Sequence, residues 1–267
     1  MKISLVDKTN KRTGDVELAS QFSEGYRPDL IKRAVHALQS SARQKYGADP
    51  LAGKRSSSKT SKRRRKYRGT YGFGISRVNR KILSRRGMRM FWVGAFTPQT
   101  VGGRRSHPPK SDKNWEKKIN KKENRKAVRS AMGATLNKTI VAARGHKIPE
   151  GYPCVIDGFE DLKKTADVEK VLHLLGFGDE LSRSMIKKIR AGLGKTRGRK
   201  YQRKKGILIV VGKDCPLIKS ASNIAGVDIV EARNLNAELL APGAMPGRVT
   251  LWTKNAVDEI KEKKLFA

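Results

Sequence analysis

The chain has 267 residues, of which 60 are Lys or Arg and 24 Asp or Glu, for a formal net charge of +36. That length buries one substantial core with or without a long appendage, and that charge favours a polyanionic partner, most often nucleic acid. The apolar stretch at 88–96 falls far short of the roughly 18 to 20 residues of a bilayer helix, the basic runs are broken by glycine and proline instead of lying on a helical face, and the N-terminus lacks a signal peptide's apolar run, so a cytoplasmic setting without membrane contact is expected.

In chain order, Lys2–Val6 reads as a strand, with residues 14–18 pairing back onto it through a polar turn. Residues 28–46 are predicted helical: Pro28 suits a first turn, and Leu30, Ile31, Ala34, Val35 and Leu38 share a face. Residues 51–110 then hold 18 Lys or Arg and no acid, half of the chain's net charge. This segment opens on Lys54-Arg55, runs through Lys62-Arg63-Arg64-Arg65-Lys66, and closes at Pro108-Pro109 without clean periodicity. Alone it buries too little apolar surface to offset chain entropy, so it is expected to stay loosely held until bound. A loop of such length inside a compact domain is either functional or wrongly assigned. Tyr67, Tyr71, Phe73, Phe91, Trp92 and Phe96 are interleaved with the charge. Stacking on unpaired bases is one use for them, whereas the 88–96 cluster is expected to pack as a small strand or patch against the domain or a neighbouring protein.

Residues 122–143 read as one basic helix with an apolar stripe of Val128, Ala131, Met132, Thr135, Leu136 and Ile140. Strand and helix then alternate: Cys154–Ile156 as a strand, 168–175 and 180–193 as helices, 207–211 as a buried strand, and 217–225 as a helix. Strands at 227–230 and 249–252 follow, with a closing helix capped by Thr253. The pattern predicts an α/β fold, a mostly parallel sheet covered by helices, carrying one very long basic extended loop.

Residues 191–206 need separate treatment. Gly194-Lys195-Thr196 matches the tail of a phosphate-binding loop, but the first glycine of that signature would fall at Ile189. The predicted order is also helix, loop, strand, which offers an anion carbonyls instead of a helix N-terminus. What remains is charge: Lys195, Arg197, Arg199, Lys200, Arg203, Lys204 and Lys205 without an acid, a single-sign cluster that repels itself until an anion neutralises it. A dinucleotide fingerprint is missing, since Gly72-Phe73-Gly74 has Arg77 where a third glycine belongs. Glu160, Asp161, Asp167 and Glu169 read as surface acids, and no nucleophile with a base is recognisable. Cys154 and Cys215 read as reduced structural thiols, and His36, His107, His146 and His173 lack ligand spacing, so neither metal nor cofactor is expected.

Several stretches occur in order over nearly the whole chain: Arg27-Pro28-Asp29-Leu30-Ile31, Gly103-Arg104-Arg105-Ser106-His107-Pro108-Pro109-Lys110, Ala127-Val128-Arg129-Ser130-Ala131 and Arg144-Gly145-His146. Gly192-Leu193-Gly194-Lys195-Thr196-Arg197-Gly198-Arg199-Lys200-Tyr201, Leu240-Ala241-Pro242-Gly243 and Pro246-Gly247-Arg248 complete them. With these the chain resembles the family of universal large-subunit ribosomal protein four, in its archaeal and eukaryotic form. The resemblance implies a structural, non-catalytic constituent of the large subunit that supports assembly. It implies a globular domain (1–52 and 111–267) on the outside of the subunit and an extended loop (53–110) threading between rRNA segments to the wall of the peptide exit tunnel. The tip of the loop would lie near 71–86, with Tyr71, Gly72, Phe73, Gly74 and Arg77 closest to the tunnel.

Charge and resemblance together give the expected rRNA contacts. In the loop they are Lys54, Arg55, Lys62, Arg63, Arg64, Arg65, Arg68, Arg77, Arg80, Arg85, Arg86, Arg104, Arg105 and His107; on the domain they are Lys195, Arg197, Arg199, Lys200, Arg203 and Lys204. Large-subunit rRNA and neighbouring large-subunit proteins are the expected partners, with no small-molecule substrate. Phosphate contacts would supply affinity, and fit to folded RNA shape would supply recognition. The alternatives are an RNA-modifying or nucleotide-dependent enzyme with a basic arm, and a non-ribosomal chromatin-like binder.

Overall fold

All four residues of Leu208-Ile209-Val210-Val211 are buried, and because successive strand side chains point to opposite faces, Leu208 and Val210 enter one hydrophobic core while Ile209 and Val211 enter another. A strand buried on both faces belongs in the middle of a layered sheet. The computed structural model, which describes residues 1–66 and 69–267, has that architecture.

Its elements are β1 (Lys2–Val6), β2 (Arg12–Glu17), α1 (Pro28–Ser41), β3 (Arg80–Arg86), β4 (Arg89–Gly94), α2 (Lys121–Leu136), α3 (Lys138–Ala143), β5 (Cys154–Ile156), α4 (Thr165–Leu174), α5 (Gly178–Met185), β6 (Lys187–Ile189), β7 (Tyr201–Arg203), β8 (Leu208–Val211), α6 (Pro216–Ala221), β9 (Asp228–Glu231), α7 (Ala237–Leu240), β10 (Thr250–Thr253) and α8 (Lys254–Glu262). The main sheet runs β2-β1-β5-β10-β8-β9. Its pairs are parallel except at the β2 edge, where β1 and β2 pair antiparallel. One face is covered by a core that joins Ile31 and Val35 of α1, Val128 and Met132 of α2, Leu240 of α7, and Val257 and Ile260 of α8 to Trp252. The other is covered by α4, α5 and α6 through Val168, Leu172, Leu181 and Leu217.

The chain divides into two compact units: Met1–Ala42 with Glu116–Ala267, which holds the main sheet, and Arg43–Trp115. Within the second unit β3 and β4 pair antiparallel around Gly87-Met88, with Gly87 at φ +55°. For Arg80–Arg86 that corrects the expectation of a loosely held segment. Ile82 faces Trp92 and Ser84 faces Phe91 across the ladder, cross-strand pairs of the kind that stabilise a sheet. The 88–96 cluster therefore supplies a strand, as the sequence suggested.

Two helix predictions need correction. The single helix over 122–143 is broken at Asn137, whose backbone is extended and whose Oδ1 accepts from the Thr139 N–H at 3.0 Å; the side chain caps a new helix, α3. The helix over 180–193 ends at Met185, and Ile186 is extended. The chain continues as β6, turns, and returns as β7 in an antiparallel hairpin with Ile189 opposite Tyr201. Its helical spacing of apolar residues is genuine but has nothing to pack on, since Met185, Ile186, Ile189 and Leu193 are all exposed. Gly192 and Gly194 add a helix penalty of about 1 kcal/mol each.

Candidate nucleic-acid interface

In the second unit the two legs of the basic segment are fastened together near its base. The Ala48 N–H donates to the Pro109 carbonyl at 2.9 Å, and Gly53, at φ +72°, lies so close to Gly103 that an added Cβ would stand 2.4 Å from its carbonyl carbon. Only glycine permits both that approach and that dihedral. Tyr46 and Trp115 stack with centroids 5.5 Å apart, and the Arg43 guanidinium lies 4.0 Å over the Trp115 ring. A cleft of ≈ 400 Å³ between the legs is bordered by Lys54, Arg104, Arg105 and Lys110.

Beyond this base the cations point outward. Lys54, Arg55, Lys62, Arg63, Arg64, Arg65, Arg77, Arg85, Arg86, Arg105 and His107 are exposed, while Arg80 and Arg104 are half-buried. Arg68, like Tyr67, lies outside the described residues. Arg55 is paired with Asp49, and Arg77 lies 4.3 Å over the Tyr71 ring. The stretch Tyr71-Gly72-Phe73-Gly74 is a turn with both glycines at positive φ and Phe73 exposed. A second tip, absent from the sequence reading, is the β3–β4 turn: Met88 is 93 % exposed and Arg86 stands directly opposite Arg89. Like charges directly opposite destabilise a ladder, so this end of the hairpin favours an external anion.

In the first unit, Lys195, Arg197, Arg199 and Lys200 sit on the turn between β6 and β7, with Arg203 on β7 and Lys204 just beyond; all six are exposed. The turn joins strand to strand, which replaces the inferred helix C-terminus and supplies no helix N-terminus for a nucleotide phosphate.

The buried charges of this unit escaped the sequence reading. Glu180 is fully buried, and its carboxylate accepts from His146 Nδ1 at 2.7 Å, the Lys147 N–H at 2.9 Å and Arg183 Nε at 2.8 Å. Burial pushes the Glu180 pKa up, but these donors outweigh it and hold it at about 2. Burial likewise lowers the pKa of His146, against the pull of Glu180, so the ring is neutral with Nδ1–H donating to the carboxylate. The fully buried Arg248 donates to the Gly206 and Leu239 carbonyls at 2.8 and 3.0 Å and to Asp228 at 2.6 Å. These bonds anchor the segment from which β7 leads into β8. Glu160 also departs from its predicted surface role: it accepts from the Gly212 N–H, the Thr253 hydroxyl and Asn255 at 3.0, 2.6 and 2.8 Å. Thr253 itself caps α8 through Ala256 N.

Removing the Glu180 carboxylate is expected to leave the buried His146 Nδ1–H without its acceptor and the half-buried Arg183 guanidinium with the Lys205 carbonyl but no countercharge. Glu180→Ala should lower unfolding stability at neutral pH by about 3–5 kcal/mol. In the parent protein both lowered pKa values act in the same direction, because the unfolded chain binds protons more readily. Stability therefore falls as pH drops below the ordinary histidine value of 6.5, and falls further between 4.5 and about 2 as Glu180 is protonated. Urea unfolding midpoints across this range should show that descent in the parent, and a flatter acid limb in Glu180→Ala.

Cys154 is buried and Cys215 half-buried, both free; burial raises both thiols, Cys154 to about 11. Among the described residues no three His, Cys, Asp or Glu side chains are grouped to hold a metal ion, and no helix is long and apolar enough to cross a membrane.

The chain matches the family model described as Ribosomal protein L4/L1 family over residues 16–263. It is 50 % identical over 267 residues to the large ribosomal subunit protein uL4 of Nanoarchaeum equitans, covering 100 % of both chains. Identity to the uL4 of Archaeoglobus fulgidus is 44 % over 264 residues, 98 % of this chain and 99 % of the relative. To that of Methanococcus vannielii it is 43 % over 268 residues, covering 98 % and 100 %.

Proposed function

The chain belongs to the ribosomal protein L4/L1 family, structural large-subunit constituents of archaeal type and not enzymes, and from that premise we propose that it binds large-subunit rRNA through two separate basic elements. One is the arm within Arg43–Trp115, which we take to penetrate the RNA and reach the peptide exit tunnel with Tyr71–Arg77 or the Gly87-Met88 turn foremost. The other is the β6–β7 hairpin, which docks the globular unit on the RNA. Neighbouring large-subunit proteins complete the surroundings.

The observation that carries this reading is the run of 18 Lys and Arg without an acid over residues 51–110. A protein domain holding such a run in water meets its own repulsion, and a surface of phosphates removes it. Those contacts supply affinity and register, and sequence is not read by them. Binding of the full chain to large-subunit rRNA is therefore expected to fall linearly on a log–log salt plot, with a slope of about −0.7 to −0.9 per phosphate contact. Filter binding across a potassium chloride series measures it, and an affinity indifferent to salt contradicts the proposal.

A further inference from the structure

The β6–β7 hairpin carries more apolar surface than a phosphate grip requires. Two strands without a covering layer are marginal in water, yet Ile189, Leu193 and Tyr201 are 60, 69 and 44 % exposed, with Met185 and Ile186 beside them. From Met185 to Lys205 the chain also has ten Lys or Arg and no acid. The hairpin's frame is held by its own backbone: Arg190 N–H donates to the Lys200 carbonyl at 2.7 Å and its Nε to the Arg199 carbonyl at 3.2 Å. Ile189 and Tyr201 are directly opposite on adjacent strands, so their side chains share one face. The Lys187 ammonium lies 3.8 Å from the Tyr201 ring centroid on that face. Beside β7 an open cleft of ≈ 540 Å³ runs to the turn after α6, with Arg190, Arg203 and Lys204 along it. The acid at the cleft, Asp228, is already engaged by Lys205 at 2.9 Å and Arg248 at 2.6 Å.

Building on the rRNA-binding reading above, we infer that this hairpin is a base-contacting wedge for unpaired RNA, in which Tyr201 stacks on a nucleobase, Ile189 and Leu193 pack against its neighbours, and the cations hold the flanking phosphates. Charge complementarity selects RNA as the occupant, because a set of ten cations of which, among the described residues, Lys205 alone is paired with an acid suits a polyanion. Unpaired RNA is selected over duplex because only splayed-out bases offer their faces to an aromatic ring.

Filter binding of the full chain to large-subunit rRNA tests this with three variants. Tyr201→Leu keeps an apolar partner for Ile189 but removes the ring; it is expected to lower affinity by about 5- to 150-fold without changing the salt slope. Tyr201→Trp keeps a stacking surface and is expected to retain parental affinity. Arg199→Ala should instead reduce the slope by about 0.7 to 0.9. Parental affinity in Tyr201→Leu overturns the wedge while leaving the phosphate grip standing, and equal losses in the leucine and tryptophan variants overturn it by marking Tyr201 as a packing residue only. Binding by the parent that ignores salt overturns the rRNA reading itself, a result distinct from either of these.

Discussion

Excising residues 56–103 and joining Arg55 to Arg104 through a short glycine linker is expected to leave a folded globular unit that no longer enters large-subunit particles. Both hydrophobic cores are drawn from Met1–Ala42 and Glu116–Ala267, so the excision removes none of the apolar burial that stabilises the sheet. The cut ends are also close in space, since the Gly53 backbone lies against Gly103 and Arg104, and closing a short loop there costs little entropy. Thermal unfolding followed by circular dichroism should show a cooperative transition within a few degrees of the parent. The excised segment contains 13 Lys and Arg and no acid, so the loss in RNA affinity should be large and strongly salt-dependent. Sedimentation of tagged protein on sucrose gradients reads incorporation. A variant that unfolds would place the arm inside the domain's own core, and a variant that enters particles normally would remove the arm from the RNA contacts.

The parts of the fold that were legible in the sequence are those specified by local pattern. Leu208–Val211 is a run of four apolar residues that no amphipathic helix would use, and Thr253 precedes the apolar face of α8 at the one position where its hydroxyl reaches the Ala256 N–H. Asn137 was illegible because the apolar stripe from Val128 to Ile140 continues across it, and only the side chain's bond to Thr139 N reveals the break. Residues 186–193 misled for the opposite reason: a helical spacing was present, but the burial that makes spacing meaningful was not. The single-sign cation runs over residues 51–110 and 191–206 could be found by composition alone, since charge without nearby acid is visible in one dimension. Glu180 with His146, and Arg248 with Asp228, could not, because each pair joins residues 34 and 20 positions apart through tertiary structure. The Arg144-Gly145-His146 and Pro246-Gly247-Arg248 stretches marked both places without giving a reason for them.

Replacing Arg197, Arg199 and Lys200 together by Glu is expected to weaken rRNA binding by at least about 10³-fold, more than any single change outside the buried clusters. All three side chains are exposed on the β6–β7 turn, where their charge costs the fold nothing to remove, so the parent's unfolding midpoint should be preserved. A charge-assisted hydrogen bond is worth about 1.5–3 kcal/mol, and about 1.4 kcal/mol is a factor of ten. Three lost contacts give the lower bound, and three introduced carboxylates add repulsion from the same phosphates. The log–log salt slope should also become shallower by about 2 to 3, the sum for three phosphates. That second number separates docking from a general loss of positive charge: a triple reversal at Lys163, Lys164 and Lys261, all exposed and outside the hairpin, changes net charge equally. If the hairpin is where the globular unit meets RNA, this control variant keeps most of its affinity. If the two variants bind equally poorly, the interaction follows net charge alone and the hairpin is not the docking element.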